Sequence, residues 1–279
     1  MLTLTELKAI FRRYDFSPLK RFGENYLVDG NIKDKIVAEA IAGGPHTILE
    51  IGPGLGALTF DLAAGRASVF AVEKDKKAFA ILKELVKDDF PSLKIFNEDI
   101  LKFDLKTVFR GNKIKVIGNL PYYITTPVVE YIIENRNIIE QALIVTQKEV
   151  ALRLLAPEGS ECRGSISCFV QYYTRPEYLY TIKRNSFYPV PDVDSSLLKL
   201  GIPDKPAIEV RNKAVFFKII RGAFNQRRKS IINSLSREAV LSLPKEELTS
   251  ILNKLGIDPA SRPEDLPLSS FASIANAIS

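Results

Sequence analysis

Residues 47–57 read TILEIGPGLGA, a short apolar run rich in β-branched residues that leads into a loop with three glycines. A run of that length, closed by a glycine turn, fits a buried strand better than a helix. Gly52, Gly54 and Gly56 let the backbone come close to a ligand where a Cβ would collide, and a helix opens from Ala57. The spacing meets GxGxxG only in part, with Ala57 standing for the last glycine, so the loop alone is a weak signal.

The flanking sequence repeats the alternation. Downstream come SVFAVE (68–73), a helix over 75–87, LKIF (93–96), KIKVIG (113–118), a helix from Thr125, ALIVTQ (142–147) and a helix through Leu155. Upstream, Ile32, Ile36, Val37, Ala40 and Ile41 share one helical face that Gly43 and Gly44 end, and Thr3 with Glu6 forms a capping box for an opening helix. Residues 165–173 and 178–183 read as closely spaced strands, a hairpin at one edge of the sheet, and SSLLKL follows as a last strand. This βα rhythm predicts an α/β fold with a doubly wound, mostly parallel, Rossmann-like sheet. Beyond Gly201 the strands stop, IPDKPA forms a Pro-rich joint, and the remainder reads as helix. The expected domains are 1–204 and a small all-helical 205–279.

Composition narrows the chemistry. The 279 residues are 46% hydrophobic and 26% charged, ordinary for a globular protein, with no apolar run long enough to cross a membrane and no signal-peptide core at the start. A cytoplasmic protein is expected. Two cysteines, Cys162 and Cys168, and a single histidine, His46, cannot assemble a thiolate and imidazole zinc cluster, so no metal is expected. The net charge of +6 is concentrated late: residues 205–279 hold twelve Lys and Arg against seven Asp and Glu, an excess of +5. No carboxylate occurs from Arg211 to Ser236, a pattern that suits contact with nucleic acid.

The candidate site gathers at strand ends, where open α/β sheets bind ligands. Glu73 ends the second strand 21 residues after Gly52, where a carboxylate accepts from both hydroxyls of a ribose. Asp99, just beyond the third strand, suits an adenine amino group, and Glu50, before the glycines, suits a cationic ligand better than a pyrophosphate. A nucleoside held this way fits a dinucleotide or S-adenosylmethionine, and no hydride-transfer apparatus accompanies it. After the next strand comes VIGNLPYYITTP (116–127). The side-chain oxygen of Asn119 and the carbonyl of Pro121 offer acceptors to an exocyclic amine, and Tyr122 offers a flat face to a base taken out of its stack. Residues 17–29, SPLKRFGENYLVD, read as an ordered segment lying across a ligand.

GENYL (23–27), EIGPGLG (50–56), VEKD (72–75), EDIL (98–101), NLPY (119–122), FYPVP (187–191) and FNQRRKSIINSL (224–235) together resemble the ribosomal RNA adenine dimethyltransferase family, in order and over nearly the whole chain. NLPY with the downstream RRK helix is specific; the glycine loop is not. The resemblance implies a class I methyltransferase using S-adenosylmethionine, with Asn25 and Leu27 closing over it, Gly52 against its methionine part, Glu73 on the ribose and Asp99 on the adenine. It implies that Asn119 and the Leu120 and Pro121 carbonyls hold the target amine, with Tyr122 and Phe187 on the two faces of the base. The implied reaction is two successive methyl transfers to adenine N6, on two adjacent adenosines near the 3′ end of small-subunit ribosomal RNA in a pre-30S particle, by a monomer. GENYL departs from the family, which more often has Gln and Phe flanking the Asn.

Three alternatives share the scaffold: a large-subunit adenine methyltransferase of antibiotic resistance, a DNA adenine methyltransferase, and a catalytically silent assembly or transcription factor. Leu120 and the Pro-punctuated tail lean to the small-subunit enzyme, NLPY stands against the DNA enzyme, and intact Asn119 and Tyr122 stand against a silent protein. In the helical part, a wheel over 216–235 puts Phe216, Ile220, Ala223, Phe224 and Ile231 on one side, expected to dock on the methyltransferase domain. Lys218, Arg221, Asn225, Arg228 and Lys229 fall on the other, expected to track RNA phosphates. Arg227 falls in the apolar arc, so either the helix breaks near Asn225 or Arg227 pairs with a carboxylate.

Overall fold

The structure, a computed structural model, describes residues 3–18, 25–44, 46–65, 67–86, 90–226, 228–236, 241 and 243–279, with Tyr122 described by its backbone alone. Grouped by contacts, residues 1–151 with 177–202 form one unit and residues 152–176 with 203–279 form another.

In the first unit the elements run α1 (Leu4–Arg13), β1 (Tyr26–Leu27), α2 (Gly30–Ile41), β2 (Thr47–Ile51), α3 (Thr59–Ala64), β3 (Ser68–Glu73), α4 (Lys76–Val86), β4 (Leu93–Asn97), α5 (Leu105–Phe109), β5 (Ile114–Asn119), α6 (Thr125–Glu134) and β6 (Ile139–Gln147). After α7 (Lys148–Leu155) and α8 (Ser165–Tyr173) follow β7 (Arg175–Ile182), β8 (Phe187–Tyr188) and β9 (Ser195–Gly201). Seven strands form one sheet in the order β4-β3-β2-β5-β6-β9-β7, and β1 pairs with β8 in a separate two-stranded ribbon. The five strands from β4 to β6 are parallel, and β9 lies antiparallel to β6.

Helices cover both faces, so the central strands are near-continuous apolar runs: Ile114–Gly118 of β5 and Ala142–Thr146 of β6 are buried at every position. The chain winds from β2 outward to β4, then returns to lay β5 on the other side of β2. The crevice at this switch opens between the carboxyl ends of β2 and β5, which places the glycine loop and the Asn119 loop side by side. The expected doubly wound sheet is present, and no helix among the described residues is long and apolar enough to cross a membrane.

One predicted strand is a helix. Residues 165–173 form α8, not one arm of a hairpin, and β7 lies beside β9. Cys168 and Tyr172, one helical turn apart, are both fully buried in the core of the second unit. That core assembles around α9 (Lys213–Phe224), α10 (Ile231–Leu235), α11 (Lys245–Lys254) and α12 (Leu268–Ile278). Phe216, Ile220, Ala223 and Ile231 are buried there with Cys168, Leu248 and Phe271. The apolar side of the wheel therefore fills its own unit's core, which corrects the expectation that it docks on the methyltransferase domain. Each fully buried Phe, Ile or Leu side chain among them contributes about 1.5–3 kcal/mol. The boundary expected at 204 shifts for the same reason, because residues 152–176 group with the C-terminal helices.

The wheel also assumed one helix, whereas α9 ends at Phe224 and Ser230 starts α10. Arg228 between them has φ of +72°, a left-handed conformation no continuous helix contains. Arg227 lies outside the described residues.

Candidate active site

Two adjoining cavities open at the carboxyl ends of the parallel strands. One, of about 100 Å³, is lined by Asn25, Leu27, Glu50, Gly52, Glu73, Asn119, Leu120, Pro121 and Phe187 among others. The next, of about 490 Å³, shares Gly52, Glu73 and Pro121 and extends over Asp99, Ile100, Leu101 and Tyr123. Every candidate residue expected at the cofactor and target amine lines one of the two, except the Tyr122 side chain, which lies outside the described residues.

The glycine loop is shaped by contacts that need glycine. Gly54 has φ of +57°, and a Cβ there would sit 2.9 Å from the Tyr26 ring. Its N–H donates to Glu73 Oε2 at 2.9 Å, while Asp75 N–H donates to Oε1 at 2.8 Å. Two backbone donors thus fix the plane of the Glu73 carboxylate. Asp99 is held by Leu101 N–H at 3.1 Å and by Lys74 Nζ at 2.8 Å. Burial raises its pKa, but the Lys74 and Leu101 hydrogen bonds and the Lys74 and Lys102 charges outweigh that, leaving it below the usual carboxylate range.

Glu50 contrasts with both. It is 2% exposed, and its Oε2 is buried with no hydrogen-bond partner among the described residues. Burial pushes its pKa up to about 8; the Thr59 hydroxyl pulls down and the Glu73 charge pushes further up. Thr59 does not close a hydrogen bond, since its own Oγ1 is also without a partner. An orphaned carboxyl lining a cavity beside a second carboxylate fits a positively charged ligand. The residues present therefore fit S-adenosylmethionine, whose sulfonium and ammonium are cationic. The place of Glu50 before the glycines is the sequence signal for that charge.

Asn119 ends β5, and its Nδ2 donates to the Asn25 backbone carbonyl at 2.8 Å. The amide end is thereby committed, which leaves the oxygen as the other end of the carboxamide. Leu120 N–H donates to the Val145 carbonyl at 3.0 Å, extending the sheet pairing by one residue. The Pro121 carbonyl accepts from Ile124 N–H at 3.1 Å, so the turn at Tyr122–Ile124 occupies one of its two lone pairs. Phe187 is 2% exposed, packed against the core with one part at the cavity. Sequence reading missed Lys74, Ile100 and Tyr123 at the larger cavity; Tyr123 is 54% exposed. Lys74 follows the strand-end Glu73, Ile100 follows Asp99 just past β4, and Tyr123 doubles Tyr122, which is the pattern that marks them.

In the second unit Asn212 caps α9 by accepting from Ala214 and Val215 N–H at 3.0 and 3.2 Å. Lys218 and Arg221 on this helix and Arg228 and Lys229 in the turn after it are exposed. Among the described residues no group of three or more His, Cys, Asp or Glu side chains could hold a metal ion.

Known proteins resemble this arrangement. Residues 16–279 match the ribosomal RNA adenine dimethylase model. Ribosomal RNA small subunit methyltransferase A of Bacillus mycoides (strain KBAB4) is 38% identical over 283 residues, 99% of this chain and 96% of that protein, and the same figures hold for Bacillus cereus (strain B4264). A dimethyladenosine transferase structure from Plasmodium falciparum aligns with a TM-score of 0.77 at 24% identity, covering 89% of this chain and 95% of that one. The 23S rRNA methyltransferase ErmE aligns at 0.69 and 24% identity, covering 90% and 98%; at such identity both bear on the fold alone. By its matching residues and by relatives alike along almost their full length, the chain belongs to the ribosomal RNA adenine dimethylase family.

Proposed function

We propose that this chain transfers methyl groups from S-adenosylmethionine to N6 of two adjacent adenosines near the 3′ end of small-subunit (16S) ribosomal RNA. The observation that carries this reading is the Asn119 carboxamide, tied by its amide end to Asn25 in a cavity that Glu50 and Glu73 also line. The small-subunit name of the relatives at 38% identity favours this RNA over the large-subunit one.

When bound, S-adenosylmethionine supplies an electrophilic methyl group. The residues of the chain do the rest by position and charge. Glu73 accepts from the ribose hydroxyls, and Asp99 accepts from the adenine amino group beside Lys74. Gly52 lies against the methionine part, Glu50 balances its positive charge, and Asn25 and Leu27 cover it. Asn119 Oδ1, together with the Leu120 and Pro121 carbonyls, accepts from the target amine, directing the nitrogen lone pair at the methyl group. Tyr122 stacks on the target base and Phe187 closes its other side. Lys218, Arg221, Arg228 and Lys229 contact RNA phosphates. The protein acts as a monomer on a pre-30S particle in the cytoplasm.

The test is methyl incorporation into small-subunit particles from a strain that lacks the modification, followed by digestion to nucleosides. N6,N6-dimethyladenosine at two adjacent positions is expected. Incorporation into large-subunit RNA instead, or none into either, overturns the proposal.

A further inference from the structure

Asn119 serves the target amine only if its oxygen, not its amide nitrogen, faces the reacting group. That choice is made by the backbone carbonyl of Asn25, which accepts from Nδ2 at 2.8 Å across 94 residues of sequence. The next two residues are β1, laid antiparallel on β8 with Tyr26 opposite Tyr188 and Leu27 opposite Phe187. One short ribbon thus orients Asn119 and also carries Phe187. A two-residue ladder has little stability of its own. What anchors it lies just beyond: Val28 and Asp29 N–H both donate to the Ser186 carbonyl, at 2.9 and 3.3 Å, and Ser186 Oγ donates to Asp29 Oδ2 at 3.0 Å. The other Asp29 oxygen, Oδ1, accepts from Ile32 N–H at 3.3 Å and caps α2, so the ribbon is rooted in a helix. Ser186 is 7% exposed.

We infer that Ser186 and Asp29 are positioning residues, whose hydrogen bond holds β1 in the register that turns the Asn119 oxygen toward the target amine and sets Phe187 beside the base. Neither lines the cofactor cavity. The inference rests on the proposed methyl transfer. Its own effect is on turnover, since RNA affinity comes from phosphate contacts elsewhere.

Three variants test it. Ser186→Ala removes the donor and leaves the α2 cap intact. Asp29→Ser keeps a capping oxygen but is too short to reach Ser186. Asp29→Asn keeps both: its oxygen caps, and its amide donates to the Ser186 hydroxyl. With wild-type protein and unmodified small-subunit particles, S186A and D29S should lower kcat about tenfold, with KM for the particle and the melting temperature essentially unchanged. D29N should retain wild-type kcat. If S186A turns over like wild type, or if kcat and melting temperature fall while KM rises in S186A and D29S, the inference is wrong and the bond is merely structural. Absence of methylation by wild-type protein would instead strike the proposed function, so the two failures are distinct.

Discussion

Glu50→Gln isolates the electrostatics of the cleft, because Gln keeps the shape of the side chain and never carries its charge. Burial first, with the Glu73 charge adding to it against a smaller opposing effect of Thr59, raises the Glu50 pKa from an ordinary 4.5 to about 8. The unfolded chain gives up this proton near 4.5, whereas the folded chain keeps it until about 8. Between those values the folded state holds the extra proton, so stability is full below the lower value and falls as pH rises through the window, at about 1.36 kcal/mol per unit. The whole loss is on the order of 5 kcal/mol, of which roughly 3 kcal/mol is reached by pH 7. Gln feels none of this. Apart from a constant offset for burying an amide, E50Q should match wild type near pH 5 and exceed it by several kcal/mol at pH 8.5. Urea unfolding of both proteins at four pH values between 5 and 8.5 measures the difference. A gap that stays constant to within about 1 kcal/mol across that range would refute the reasoning, because Glu50 would then be ionised and compensated in the folded protein.

The same substitution should act in the opposite sense on binding. A cationic ligand gives the carboxylate the partner that folding does not, so S-adenosylmethionine should bind wild type with proton release near pH 7 and bind E50Q more weakly. Titration calorimetry in two buffers of different ionisation enthalpy reads the proton directly. Groups on the ligand titrate identically in both experiments, so the difference between proteins belongs to Glu50.

Glu73→Ala removes a carboxylate whose plane two backbone donors already fix, and cofactor affinity should fall by about 1.5–3 kcal/mol in calorimetry; unchanged affinity in a folded variant would remove Glu73 from the site. Asn119→Ala should collapse turnover while cofactor affinity drops only modestly, as single-turnover methylation set beside cofactor titration would reveal. Tyr122→Phe should be far milder than Tyr122→Ala in RNA methylation, and equal impairment of the two would make the phenol, not the ring face, essential. Neutralising Arg221, Arg228 and Lys229 together should weaken RNA binding and lower the slope of log affinity against log salt by roughly 0.7–0.9 per lost contact, leaving cofactor binding intact.

The sheet is legible in sequence because strands buried on both faces are mostly apolar, and the residues at or just past their ends depart from that rule: Gly52, Glu73, Asn119. Residues 165–173 are not legible in the same way. SISCFVQYY has the β-branched and aromatic content of a strand, and its helical spacing shows only in pairs such as Phe169 and Tyr173, whose rings lie 5.3 Å apart, and in the burial of Cys168 and Tyr172 once α9 supplies a partner surface. The β1 and β8 ribbon is shorter than any periodicity can reveal. The tie between Asn119 and Asn25 uses a backbone carbonyl, which every residue possesses and no motif records.

Glu50 stands apart from both cases. It is the one carboxylate in β2, a strand otherwise buried with Ile48, Leu49 and Ile51, and an apolar residue at 50 would serve the folding of this sheet better. A local rule broken at high free-energy cost, next to a cavity and with Oε2 left without a hydrogen-bond partner among the described residues, locates function more sharply than the partial glycine pattern beside it. The glycines say that something approaches the backbone, and the orphaned carboxyl adds the sign of its charge. A pyrophosphate would place negative charge beside Glu50 and Glu73 together, so the pair fits a cationic nucleoside better than a dinucleotide in a fold that elsewhere accepts either.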